Sequence, residues 1–236
     1  MGGRADPAVA LDLLARGEVA LKGRMPRSSN ATFLVEVDLE GTTALAVYKP
    51  ERGERPLWDF PPGLYRREIA AYLLSEALGW GIVPPTAPRD GPLGEGSLQL
   101  FVHADFRQHY FTLLEQVEHR EALRRICLFD LVVNNADRKS GHCLWVPEDR
   151  IYAIDHGLTF HAESKLRTVI WDFGEEPIAP ALLEDVRRVL DALPRALVDL
   201  LDPEEVRGLK RRARGLLRAG HFPVDHGGLR YPWPLI

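Results

Sequence analysis

Residues 128–145 read "LFDLVVNNADRKSGHCLW". The stretch begins as the apolar end of a helix and gathers Asn134, Asn135, Asp137, Arg138, Lys139 and His142 within nine positions. It then turns apolar again. A dense polar run between two buried segments holds several polar side chains at one fixed point. Eighteen residues beyond Asp137 comes Asp155, in "AIDHG", at the far end of a hairpin made of "CLWV", the turn "PEDR" and "IYAID". The hairpin folds back, so both carboxylates can face one cleft. One carboxylate to orient or deprotonate a hydroxyl, and a second to hold a divalent cation, are the minimal equipment of metal-dependent phosphoryl transfer. Positioning and charge neutralisation supply most of the rate in that chemistry.

Upstream, "EVALKGRM", "ATFLVEVDLEG" and "TALAVYKP" alternate as three strands of an antiparallel meander. Lys49 ends the third and plants an ammonium at the edge of an apolar sheet. A helix over 64–78, stopped at Gly79, carries Glu68 in its first turns, a natural partner for that lysine. Such a pair would hold the ammonium within reach of phosphate oxygens. "RMPRSSN" offers Ser28, Ser29 and free backbone N–H groups as a phosphate-covering loop. It is not a Walker loop, because G-x-x-x-x-G-K-[ST] occurs nowhere. Taken singly, each residue has a plainer reading. Lys49 and Glu68 could be solvated, Ser28, Ser29, Asp137 and Asp155 could be turn residues, and His142 a structural histidine. The joint pattern carries the argument.

Around this centre, Asp6 and Pro7 open a short helix to about Gly17. "IVPPTAPRDGPLGEG" reads as a loop, "SLQLFVH" as a strand, and 111–133 as one long helix. Further helices cover about 180–192, 194–200 and 203–218, followed by an irregular tail from His221. Strands dominate before residue 102 and helices after it. The expectation is one α+β domain of two lobes, 1–102 and 103–236, joined near residues 100–104.

In their order and rough spacing, "VYKP", "REIAAYLL", "GSLQLFV", "DLVVNNADR" and "AIDHGLTF" resemble the phosphatidylinositol 3/4-kinase-like branch of the protein-kinase fold, with the type II phosphatidylinositol 4-kinases closest. The resemblance spans residues 45–160, about half the chain. It implies an antiparallel-sheet N-lobe, a mainly helical C-lobe, and ATP with Mg2+ or Mn2+ between them. Lys49 would bind the α/β-phosphates, with Glu68 as its anchor. Gln99 to Val102, including Phe101, would form the hinge that meets adenine through its backbone. Asp137 would be the catalytic aspartate and Asp155 a metal ligand.

Three departures stand out. The family has Asn where this chain has His142, a softer second metal ligand. Lys139 follows Asp137 by two residues, as in protein kinases, where it would steady the migrating phosphoryl. The cysteine cluster that lipidates the type II enzymes is missing. Two readings stay open: an ATP- and metal-dependent phosphotransferase acting on a protein, lipid or small-molecule hydroxyl, or a nucleotide-binding pseudokinase serving as scaffold or sensor. Transfer of AMP in place of phosphate is a third.

Composition narrows the partners. A net charge of −4 and a pI near 6.1 give no field to draw nucleic acid. The basic run "LKRRARGLLR" at 209–218 reads as a solvated helix face. Cys127 and Cys143 form neither a disulfide framework nor a zinc site, which suits a reducing cytoplasm. No signal peptide, myristoylation pattern or run of ~18 apolar residues appears, so no integral membrane segment is expected. Trp58, Trp80, Trp145 and Trp171 read as packing residues. The oligomeric state and the role of the tail are not legible.

Overall fold

The computed structural model describes residues 6–26, 28–147 and 150–235. Arg27 of the first loop, Glu148 and Asp149 of the "PEDR" turn, Ile236, and the N-terminal residues 1–5 with their expected lack of a targeting signal lie outside the described residues.

Five strands build one antiparallel sheet in the order β1-β2-β3-β5-β4. They are β1 (Glu18–Arg24), β2 (Phe33–Leu39), β3 (Thr42–Pro50), β4 (Thr86–Gly91) and β5 (Gly94–Leu100). Alternation puts Val35 and Val37 of β2 on the same buried face as Ala46 and Tyr48 of β3. Helix α1 (Pro7–Arg16) covers that face with Leu13 and Leu14. Its start is capped by Asp6, whose carboxylate accepts the Ala8 N–H at 2.9 Å.

The expected loop over 82–96 is half strand. "TAPRDG" pairs with β5 across a tight Gly91–Gly94 turn. The prolines disguised it, and Pro88 is tolerated because β4 is the sheet edge. The expected helix 111–133 is likewise broken. Helix α3 (Tyr110–Leu114) ends, a 3-10 turn spans Val117–His119, and α4 (Arg120–Val133) restarts. Tyr110 and Leu113 face the core, but Val117 is 79% exposed, so the apolar register lapses before Leu123 and Ile126 resume it.

Helix α2 (Leu64–Leu78) lies between sheet and helices, ending on Gly79 at φ 74°. Its Ala70, Ala71 and Leu74 join the main core with Leu123, Ile126 and Phe129 of α4. The hairpin β6 (Cys143–Val146) and β7 (Arg150–Ala153) forms as expected. So do α5 (Pro180–Asp191), α6 (Arg195–Val198) and α7 (Pro203–Ala219). A buried ion pair between Arg67 and Glu205 fastens α2 to α7. The architecture is therefore α+β, with an antiparallel sheet in the first part and helices in the second. Among the described residues, no helix is long and apolar enough to cross a membrane.

Candidate active site

Helix α4 ends on Asn134, which adopts φ 59° and donates its N–H to Asp130 O. Asn tolerates this left-handed conformation better than most residues. Its side chain then pins the far wall. Nδ2 donates to His161 O at 3.0 Å and to Glu163 O at 2.6 Å, while Oδ1 accepts the Lys165 N–H at 2.9 Å. Asn135 donates to Asp130 Oδ1 at 3.0 Å and accepts the Asp137 N–H at 3.0 Å. The two amides therefore serve to shape the loop that presents Asp137.

Arg138 holds the loop from beneath, and sequence reasoning missed this role. It is fully buried and bidentate on Asp130, with Nε to Oδ2 at 2.8 Å and Nη2 to Oδ1 at 2.9 Å. Its Nη1 donates to Ile154 O at 2.7 Å, beside Asp155, and Nη2 lies 2.9 Å from His156 Nε2. One guanidinium thus ties α4, the polar loop and the exit of β7 together. A charged residue in the last turn of an apolar helix, "LFDLVV", was the available signal.

Around this frame the expected residues converge. Lys49 Nζ donates to Asp155 Oδ1 at 2.8 Å and also pairs with Glu68 Oε1. Glu68 accepts the His156 N–H at 3.0 Å through its second oxygen, and its side chain is only 3% exposed. His142 Nε2 lies 3.4 Å from Asp155 Oδ2. Lys139 Nζ lies 2.9 Å from Asp137 Oδ2. Asp155 itself takes φ 61° and keeps about half its side chain (49%) open.

Electrostatics sort these groups. Burial pushes the Lys49 ammonium down, but the carboxylates of Asp155 and Glu68 outweigh it and hold its pKa above the ordinary value. The Lys49 charge holds Asp155 well below the usual carboxylate range. Burial, with Arg138, Lys139 and Lys49 close by, lowers His142 to about 4 despite Asp155. Burial raises Asp137, an effect that Lys139 opposes.

As a cation site the donors are unequal. Asp155 is an anionic oxygen donor, and His142 is a neutral imidazole whose Nδ1 accepts the Lys139 N–H at 3.4 Å. That bond assigns the ring proton to Nε2, facing Asp155. Among the described residues, no group of three or more His, Cys, Asp or Glu gathers to hold a metal ion. A hard cation here would complete its sphere with phosphate and water oxygens, which is the habit of Mg2+. Asp155 fits that role, and His142 fits it less well.

The remaining expected residues make contacts of their own. Gln99 is 7% exposed inside β5, its amide donating to Thr86 Oγ1 at 2.9 Å. The Leu100 and Phe101 N–H groups are spent on Pro85 O and Leu45 O, at 2.8 and 2.9 Å. Two backbone N–H groups of the expected hinge are therefore already committed inside the protein. Ser28 donates to Thr32 Oγ1 at 2.9 Å, and Ser29 is exposed. Trp58 is no packing residue. It is 94% exposed, with the Lys165 ammonium 5.8 Å from its ring centre.

No family model matches the chain. Protein Rv2133c of Mycobacterium tuberculosis (strain ATCC 25618 / H37Rv) is 40% identical over 260 aligned positions, covering 94% of this chain and 94% of its own. The chain belongs to the family of that protein. Among solved structures, the Golgi casein kinase with Mn/ADP bound superposes with a TM-score of 0.60, at 14% identity, over 98% of this chain and 80% of that one. The structure of hydra Fam20 with sugar gives 0.55 at 14% identity, over 93% and 89%. These likenesses establish a kinase-like fold. The expected closeness to type II phosphatidylinositol 4-kinases is not supported, since the structural neighbours found are of the Golgi casein kinase and Fam20 kind.

Proposed function

We propose that the protein is an ATP- and divalent-cation-dependent phosphotransferase that moves the γ-phosphoryl group to a hydroxyl acceptor. The observation that carries this reading is the meeting of Lys49, Glu68 and Asp155. A strand-borne ammonium sits between two carboxylates that come from a helix and from the hairpin exit. Manganese and ADP in the Golgi casein kinase structure support it from outside the chain.

In this reading Lys49 leaves Asp155 for phosphate oxygens when nucleotide enters, and Glu68 keeps it aimed. Asp155, with His142 as its neighbour, would hold the cation, and a bound cation neutralises the charge on the phosphates. Asp137 orients the acceptor hydroxyl and takes up its proton, and Lys139 steadies the phosphoryl in transit. The Lys139 ammonium, 2.9 Å from Asp137 Oδ2, opposes the upward push that burial exerts on that carboxyl. The bond from the γ-phosphorus to the β-bridging oxygen breaks as the acceptor oxygen bonds to phosphorus, leaving ADP. The sheet part, 1–102, would cover the nucleotide, and the part over 103–236 would carry the catalytic loop.

Asp155→Asn tests the assignment. It should keep the fold and abolish metal-dependent ATP turnover; unchanged turnover removes Asp155 from the mechanism. His142 supports a second reading, a nucleotide sensor without turnover. Metal-dependent thermal stabilisation by ATP with no product over hours would select it.

A further inference from the structure

Against the β6–β7 hairpin, lined by none of Lys49, Glu68, Asp137 or Asp155, lies a groove of about 620 Å³. That size suits a small organic ligand. Its walls include Trp80, Ile82, Trp145 and Ile151, with His119 and with Arg150, whose guanidinium is engaged by Gly81 O and the Tyr152 ring. Trp80 is locked in place by Nε1–H donating to Asp185 Oδ2 at 3.0 Å. The Trp145 ring stands 5.7 Å from that of His119, and the Trp145 carbonyl accepts the Asp105 N–H at 3.0 Å. The Trp80 ring and the Trp145 backbone are thereby held in place.

Arg125 of α4 reaches this groove, and its Nε is buried without a hydrogen-bond partner. Three other arginines share that feature at one nitrogen. Arg67, Arg89 and Arg212, however, spend their remaining nitrogens on carbonyls or a carboxylate. Arg125 makes no hydrogen bond or ion pair among the described residues. Glu118, also in the lining, is exposed and forms no ion pair with it. A partly buried guanidinium with no acceptor is a costly feature in a native fold and calls for a partner.

We propose that this groove is a binding site for a planar aromatic carboxylate, with its ring between the indoles of Trp80 and Trp145 and its carboxylate on the Arg125 fork. The fork presents parallel N–H donors matched to a carboxylate, and the flat apolar walls match an aromatic ring. The lining shares no residue with the Lys49, Glu68 and Asp155 cluster. It shares the hairpin whose roots carry His142 and Asp155, and Ile82 in its wall accepts the Ala153 N–H at 2.7 Å.

The test is isothermal titration of the full chain with 2-naphthoate and with its uncharged analogue 2-naphthamide. No nucleotide is present, so the result is independent of the phosphotransferase reading. The expected result is saturable one-to-one binding of naphthoate, about tenfold or more tighter than the amide. Arg125→Met should erase that preference, and Ala122→Trp, which fills the groove, should remove binding of both. Arg125→Lys stands in if the Met variant does not fold, and should weaken naphthoate alone. Absence of saturable naphthoate binding to the wild type, or equal affinity for both compounds, overturns the proposal. An arginine variant that binds naphthoate as the wild type does would also overturn it.

Discussion

Lys49 and Asp155, 106 residues apart in the chain, meet at 2.8 Å across the line where the sheet faces the β6–β7 hairpin. Glu68 grips the same ammonium from α2, so one cation is shared by two carboxylates on different elements. In the proposed function, phosphate oxygens and a metal would contest this place with the two carboxylates.

Replacing that lysine separates binding from folding. Lys49→Met leaves Glu68 nearly buried without its cation, and stability should fall by about 1–3 kcal/mol, less than for a fully buried pair because Asp155 is half open. In a thermal-shift assay, ATP with Mn2+ should raise the Tm of the wild type and not that of the variant. An equal rise in both would take Lys49 out of nucleotide binding.

The loop beneath depends on Arg138 and Asp130. Both are fully buried, and removing the acid strands a guanidinium in the core. Asp130→Ala should cost about 3–5 kcal/mol, read by urea denaturation. A loss below 1 kcal/mol would show that the backbone carbonyls of Ile154 and His142 suffice to hold Arg138.

If Asp155 holds the cation as proposed, its neighbour His142 should bias the site between metals. An amide oxygen is a harder donor than imidazole, so His142→Asn should tighten Mg2+-supported nucleotide binding several-fold relative to Mn2+. Calorimetry with each cation decides it. An unchanged ratio would place His142 outside the coordination sphere.

The same residue shapes acid stability. Its pKa is about 4 in the folded chain against 6.5 for an ordinary histidine, so the unfolded state binds the extra proton. Stability should therefore be full above pH 6.5 and fall as pH drops from 6.5 toward 4. His156, pushed down first by burial and then by Arg138, adds to the slope in the same direction. His142→Asn should flatten the curve by up to about one proton's worth in that window, measured by denaturation at stepped pH. An unaltered slope would mean that His142 titrates normally.

Local pattern accounted for much of the molecule. Period-two alternation placed β1, β2 and β3, and Asp6 and Gly79 marked helix ends that hold. The hairpin between Asp137 and Asp155 was legible because its turn and strands are contiguous. What failed locally was β4, hidden by prolines that only an edge position tolerates, and the long helix, broken where Val117 loses the core.

By itself, then, the sequence determined the identity and order of the ionisable groups and the elements that carry them. Beyond the expected Lys49–Glu68 pair, only the tertiary structure decided the contacts: that Lys49 also serves Asp155, that Arg138 works from below, and that Phe101 spends its N–H within the sheet. The reason is physical. Helix and strand follow from neighbours a few residues apart, whereas an ion pair depends on distance and burial, which are set by contacts between residues far apart in the chain.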